Sequence, residues 1–392
     1  MKTVLCTLFI LFSSTLFLNC RSGETLQAPM PIELRGIRLT VAEMKSRESI
    51  ATAMQFLADH NFNVVFPPLW HNGATLYRSN TLKQTFGIEI DTAAAYVGRD
   101  PLAEIIEEAH KRNIAVIPWF ESGLSLQKGN QILGWRPDWA VRDRAGKVLV
   151  KNGSEWMNAL HPEVQEFISS LVIEVAKNYN VDGIQGSDRM PAMPIEGGYD
   201  SLSQAFYADV HGGTPPPLDF REMHWKYWRA VRLNSFAQQL YWKVKALKPH
   251  AIVSWAVDTY PLALDENLQD WRSWVTLGVN GDTYADWVHP QIKTVGIEEY
   301  KLNLDLQKKE SINITNTTRF MFPAIFLRQG GRSISAEELK EALRYNRYSG
   351  YNGEVISSYE ELRTDNGKLA KAMLESYYKT PARLPFSAAF QK

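Results

Sequence analysis

Val181-Asp-Gly-Ile-Gln-Gly-Ser-Asp-Arg-Met-Pro191 is the stretch on which the fold turns. A helical run, Pro162 to Asn180, leads into it, and a short apolar strand then stops abruptly at polar residues. One strand of an α/β barrel takes this form where it delivers side chains to an active-site rim. Asp188 and Arg189 stand just past the strand, where barrel chemistry is placed.

Outward from that stretch, short apolar strands alternate with amphipathic helices. Strands are expected at Arg35–Thr40, Asn63–Phe66, Ala115–Phe120, Ile252–Val257, Trp287–Ile292, Phe320–Phe326 and Glu354–Ser358. Helices are expected at Glu48–Asp59, Pro101–Arg112, Phe220–Leu247, Ile297–Lys309, Ala336–Tyr345 and Gly367–Tyr378. Asp100 before Pro101 is a capping signal. Trp135 to Trp156 reads as an excursion, with a hairpin-type turn at Asp143-Arg-Ala-Gly146. Met190 to Asp219, rich in Gly and Pro, is a long loop. With the strand at 181–186 the strands number eight, which predicts a single-domain (β/α)8 TIM barrel over 34–380 with long βα loops and a tail over 381–392. A doubly wound open sheet is the runner-up, weakened by the lack of a glycine-rich phosphate loop after the first strand.

Lys2 followed by an apolar run from Val4 to Leu18 is the layout of a secretory signal over 1–19, too short for a comfortable membrane span. Cys20 ends Leu-Phe-Leu-Asn-Cys and is the last cysteine of the chain. It is expected to be the lipidated first residue of an exported bacterial lipoprotein, held at the outer or cytoplasmic membrane by a tether over 20–33. The alternative is ordinary signal cleavage slightly downstream.

The balance of 43 basic against 43 acidic residues makes nucleic acid a poor partner and favours a polar, uncharged ligand. The 12 Trp read first as core, and second as flat faces on which sugar rings rest. The eight histidines form no close metal-binding set and there is no Gly-x-Ser-x-Gly elbow, so no metal and no cofactor is implied.

Carboxylates at strand ends carry more. Glycosidic cleavage needs a proton donor for the leaving oxygen and a second carboxylate as nucleophile or base. Glu121 and Asp188 close two neighbouring strands and face one mouth, which makes them the catalytic candidates. Trp70, Trp119, Trp255 and Tyr260 are candidates for apolar cover and for stacking a sugar. Asp258 is a third rim carboxylate, and Gln185, Gln291 and Asn158 suit sugar hydroxyls. The bland readings are that Asp188 pairs with Arg189, that Glu121 bonds loop backbone, and that the amides serve the scaffold. Asp182 reads as structural and His161 as a helix cap.

At these residues the chain resembles the glycosyl hydrolase-like 10 family of exported bacterial barrels. The matching pieces are Phe62-Asn-Val-Val-Phe-Pro, Thr75-Leu-Tyr77, Gly98-Arg-Asp-Pro-Leu-Ala-Glu-Ile-Ile-Glu-Glu-Ala-His110 and Val116-Ile-Pro-Trp-Phe-Glu121. Arg136-Pro-Asp-Trp139, Asn158-Ala-Leu-His-Pro-Glu-Val164, Val181-Asp-Gly-Ile-Gln-Gly186 with Asp188-Arg189, Tyr260-Pro261, Gln269-Asp-Trp271 and Pro290-Gln291 follow in order. The resemblance implies a (β/α)8 glycoside hydrolase-type domain, and some family members are outer-membrane lipoproteins acting on peptidoglycan glycan strands. The family has two successive Asp after Gln-Gly where this chain has Ser187 and Asp188. Related barrel glycosidases carry their nucleophile at the position of Ser187, so the resemblance also implies an alternative: a barrel that binds glycan without cutting it. Ser187 is then left to orient a water or hydroxyl. Trp70-His-Asn-Gly73 departs from the family's Trp-Asn-Arg-Gly, which gives Asn72 and its loop a part in sugar recognition. A metal-dependent deacetylase or amidohydrolase on the same barrel is the third reading.

Overall fold

The computed structural model describes residues 30–276, 283–311 and 320–385. The expected signal, Cys20 and most of the tether lie outside the described residues, as does 386–392. Eight strands carry the fold: β1 Leu34–Arg38, β2 Val64–Phe66, β3 in two pieces, Ala115–Val116 and Trp119–Phe120, and β4 Gly183–Gly186. β5 is Ile252–Trp255, β6 has two pieces, Trp287–Val288 and Gln291–Ile292, β7 is Ala324–Phe326 and β8 Gly353–Ser357. All pairings among them are parallel, each strand bonding the next, and β8 pairs back onto β1. The sequence of neighbours therefore returns to its start, as a barrel requires.

β3 and β6, expected as continuous, are each interrupted by a proline. Pro118 and Pro290 have no N–H to give the ladder, yet their carbonyls still accept from Gln185 N and Ala324 N at 2.9 Å. The interrupted strands thus keep both neighbours, and the two arcs of sheet meet at them.

Helices α1 Arg47–Asp59, α2 Pro101–His110, α3 Pro162–Asn178, α4 Met223–Leu247, α5 Ile297–Glu310, α6 Ala336–Tyr348 and α7 Tyr359–Glu375 clothe the strands. Their starts are set by side-chain caps: Ser46 on α1, Asp100 on α2, His161 on α3 and Ser335 on α6 accept from N2 or N3 amides. α7 is broken at Thr364–Gly367, so its second half begins where the sequence places a helix. Only the short helices Leu262–Asn267 and Arg272–Val275 stand between β5 and β6 among the described residues. The excursion after β3 is an antiparallel trio, Ser125–Gln127, Val150–Lys151 and Ser154–Trp156.

Successive strand side chains point to opposite faces, and the core divides accordingly. Leu34, Val64, Phe66, Ala115, Ile117, Ile252, Trp287, Phe322 and Val355 form the cluster along the barrel axis. Their neighbours Ile37, Val65, Val116, Val253, Val288 and Ile356 belong to the larger cluster shared with the helices. The start of the stretch 381–392, read from sequence as a tail, is docked as far as 384. Leu384 packs on the axial cluster, and Arg383 bonds Pro31 O and Glu33 N through its backbone at 2.8 and 2.9 Å. Asp182 acts as scaffold, accepting from Val116 N at 2.7 Å and paired with His110 at 2.8 Å.

The β8–β1 seam depends on a missing side chain. Gly353 has φ +116°, and a Cβ there would sit 1.9 Å from Leu34 O. Gly353→Ala is expected to cost at least ~3 kcal/mol through strain and a split seam, read as a lowered urea midpoint. A midpoint equal to that of the wild type contradicts this account of the seam.

Candidate active site

The same alternation that fills the barrel axis carries polar side chains to its mouth. In β1 the inward series is Leu34, Gly36, Arg38, and in β6 with its extension it is Trp287, His289, Gln291, Lys293. In β3 the series continues through Trp119 to Glu121, and in β5 through Ser254 to Asp258. Arg38 is buried, lies 4.9 Å from the Trp119 ring centroid and donates through Nη1 to Gln291 Oε1 at 2.8 Å. Its Nε and Nη2 find no partner among the described residues. Burial draws its pKa down to about 10 against the pull of Asp188 and Glu121, so it stays a cation at neutral pH. Beneath it His289 is pushed by burial and by Arg38 to about 3 and is held neutral.

Three carboxyl groups stand at the mouth, and two of them, Asp188 and Glu121, act on that buried cation. Asp188 accepts from Lys293 Nζ at 2.8 Å through Oδ2, and the same ammonium donates to Asp258 Oδ1 at 2.5 Å. Asn267 Nδ2 donates to the other Asp258 oxygen at 3.0 Å. Burial raises the Asp188 pKa, but Lys293, Arg189 and Arg38 outweigh burial and hold the carboxyl below the ordinary Asp range. Burial, and then the Asp188 charge, push Asp258 above that range despite Lys293. Two neighbouring carboxyl groups are thus driven apart in acidity by their surroundings.

Glu121 shares a 2.8 Å hydrogen bond with His71 Nδ1. Loop lacing brings the two together: Trp70 Nε1 donates to Gly123 O at 2.8 Å, and Asn72 N to Ser122 Oγ at 2.7 Å. Leu124 N in turn bonds Arg189 O at 2.9 Å, tying the β3 loop to the β4 loop. Gly123, with φ +51°, permits that approach, since a Cβ there would stand 2.5 Å from the Arg189 carbonyl oxygen. Lys151 clamps the outer rim to Glu196 and Glu266 at 3.1 and 2.9 Å. Arg189 itself is 46% exposed, with its Nε 3.9 Å from Asp188 Oδ1.

Several candidates sit elsewhere. Trp70 and Trp255 are wholly buried, packed on Phe167 and Trp274, and offer no face to a sugar. Their ring size is used by the core, and Gly186 exists to admit Trp255, whose ring lies 2.3 Å from the place of a Cβ. Ser187 is also buried, and its Oγ accepts from Arg189 N at 3.1 Å, so it shapes the turn rather than reaching a water in the cleft. Asn72 braces the loops through Gln127 and Asn130. Gln185 lies within the barrel, donating to Ser254 Oγ at 3.2 Å. Asn158 bonds Asp200 and Ser203. Tyr260 is half-buried, bonded to Gln307 through its backbone and covered by Arg272. Arg38, His71 and Lys293 are the site residues that sequence reasoning passed over. For Arg38 and Lys293 the inward parity of β1 and β6 is the signal that finds them. Among the described residues no group of three His, Cys, Asp or Glu is placed to hold a metal ion.

The sequence profile described as glycosyl hydrolase-like 10 matches residues 33–323. Glycosyl hydrolase DigH of Escherichia coli strain K12 is 25% identical over 287 residues, 63% of this chain and 58% of that protein. Glycosyl hydrolase YngK of Bacillus subtilis strain 168 is 27% identical over 153 residues, 39% of this chain and 28% of that protein. The chain therefore spans under two thirds of the length of these relatives. Among solved structures, the PgaB (BpsB) glycoside hydrolase domain from Bordetella bronchiseptica superposes with a TM-score of 0.64 at 14% identity, covering 88% of this chain and 99% of that one. The catalytic domain of β-amylase from Paenibacillus polymyxa gives 0.61 at 9% identity, covering 89% and 99%. At these identities the likeness is one of fold, a (β/α)8 barrel.

The hydrogen bond that His71 gives to the Glu121 carboxylate raises the His71 pKa above 6.5, ahead of the opposing burial. A raised His contributes stability that is full below its unfolded pKa and is lost as pH climbs through the folded one. The imidazole of His71, followed by NMR, is expected to titrate above 6.5 and to fall back in Glu121→Gln. A midpoint that Glu121→Gln leaves in place would show that the pair is not formed in solution.

Proposed function

The chain belongs to the glycosyl hydrolase-like 10 family, and from that membership and its cleft we propose that it cleaves a glycosidic bond in an envelope or extracellular polysaccharide by a two-carboxylate mechanism. Glycan strands of peptidoglycan are the first substrate to test. The carrying observation is geometric: Glu121 and Asp188 follow the paired strands β3 and β4, whose loops are tied by Leu124 N to Arg189 O at 2.9 Å. Lys293 bonds Asp188 at 2.8 Å and, with Arg189 and Arg38, keeps that carboxyl ionised. Asp188 is then the nucleophile or the base that draws a proton from water. The proton for the departing sugar oxygen comes from the Glu121–His71 pair, in which the imidazole holds the proton of the 2.8 Å hydrogen bond to the carboxylate. Half-buried Trp119, beside Arg38, and exposed Arg189 line the path of the sugar. No cofactor enters. Export and a lipid on Cys20 deliver the enzyme to the outer or cytoplasmic membrane, where such a polymer is within reach.

A second reading has its own observation. Ser187 is buried and carries no carboxyl group where the family pattern has one, which favours a barrel that binds glycan without cutting it.

The full chain incubated with denuded peptidoglycan strands and common polysaccharides, with products read by mass, separates the two. Asp188→Asn and Glu121→Gln are each expected to lower turnover by about 10²- to 10⁴-fold in chains that still fold, as read by circular dichroism. Binding without product, converted to cleavage by Ser187→Asp, would establish the silent binder instead.

A further inference from the structure

Asp188 has two carboxylate oxygens in unlike surroundings. Oδ2 accepts the 2.8 Å hydrogen bond from Lys293. Oδ1 accepts no hydrogen bond among the described residues, and the Nε of Arg189 stands 3.9 Å from it, too long for one. Lys293 is in turn fixed from behind by Asp258 at 2.5 Å, and Asp258 by Asn267 at 3.0 Å. The strand register holds this chain in place, because Asp258 and Gln291 form a parallel bridge and Lys293 is two residues further along.

We propose that Lys293 is a positioning residue: anchored by Asp258, it pins one oxygen of Asp188 and turns the other toward the sugar. The assignment rests on Asp188 being the reactive carboxylate. It follows the logic of catalytic constellations in which a third group orients the second. Lys293 also sets charge. Two carboxylate oxygens touching one nitrogen at 2.8 and 2.5 Å lie at most about 5.3 Å apart, the sum of those contacts. At that separation like charges resist joint ionisation unless a cation stands between them. The charged groups facing Asp188 are Lys293 from the end of β6, Arg189 beside it and Arg38 from β1, with Asp258 from β5 opposing them. Glu121 acts on Arg38 from β3. Lys293 is 39% exposed at the mouth, so the pin is within reach of an entering sugar hydroxyl.

The test compares wild type, Lys293→Met, Lys293→Arg and Asp258→Asn as full chains with carbon-13-labelled Asp side chains. The carboxyl titration of Asp188 is read by NMR, and kcat and KM are read across pH on whichever glycan the wild type cleaves. In Lys293→Met the Asp188 midpoint is expected to rise by about one pH unit or more. The acid limb of kcat/KM moves with it, and kcat falls about 10²-fold with KM within a few-fold. Lys293→Arg restores the midpoint and part of kcat, which separates positioning from mere support of the fold. Asp258→Asn leaves Asp188 ionised while lowering kcat, because the ammonium loses its anchor. An Asp188 midpoint in Lys293→Met equal to that of the wild type overturns the assignment. If Lys293→Met fails to fold, Lys293→Gln takes its place under the same criteria. A wild type that releases no sugar overturns the glycosidase reading and the positioning role with it, whereas an unmoved Asp188 midpoint in a chain whose wild type does cleave overturns the Lys293 assignment alone.

Discussion

Alternate side chains of a β-strand leave on opposite faces, and in a ring of parallel strands one of those faces is the barrel axis. The site depends on that constraint. Each strand delivers its inward series to the same narrow column, apolar at the lower and middle levels and polar at the mouth. Arg38, Trp119, Gln185, His289 and Gln291 converge because the register of eight strands leaves them no other direction. The ring is maintained at its weakest points by backbone features: Gly353 at the β8–β1 seam, and carbonyl acceptors at Pro118 and Pro290. A slip of one residue in any strand would exchange the polar set for the apolar one.

The mouth so assembled is an electrostatic balance. Burying the Arg38 guanidinium is costly unless anions stand near, and Asp188 and Glu121 supply them. Lys293 neutralises what would otherwise be two close carboxylates. The result is one acid held ionised, one pushed toward its protonated form, and a third tied to a histidine. None of these states follows from residue type, since Asp188 and Asp258 are the same amino acid with opposite shifts. Both touch the same ammonium, but Asp188 also has Arg38 and Arg189 acting on it, whereas Asp258 faces the negative charge of Asp188.

Tryptophan illustrates how composition misleads about location. A count of 12 admits both core and sugar platforms. Trp70 and Trp255 lie at strand ends, where a platform is expected, yet both are swallowed by loops and helices packed over the strands. Trp119 alone of the three keeps partial exposure, because its inward parity places it at the top of the axial cluster rather than behind the sheet.

From the residues in order, the eight strands, most of the helices, the caps at Asp100 and His161, the parallel class and the two carboxylates at the ends of β3 and β4 were legible. These follow from local periodicity, capping chemistry and the stop of each apolar run. The breaks in β3 and β6 and the docking of Leu384 needed the neighbours across the sheet. So did the site's finer chemistry. His71 meets Glu121 because two loops are laced together, and Lys293 meets Asp188 and Asp258 across 105 and 35 residues of chain. Local sequence determines which way a side chain leaves its own strand. Only closure of the ring decides which charges it then faces, because a hydrogen bond or an ion pair depends on distances of a few ångströms between residues that the chain keeps far apart.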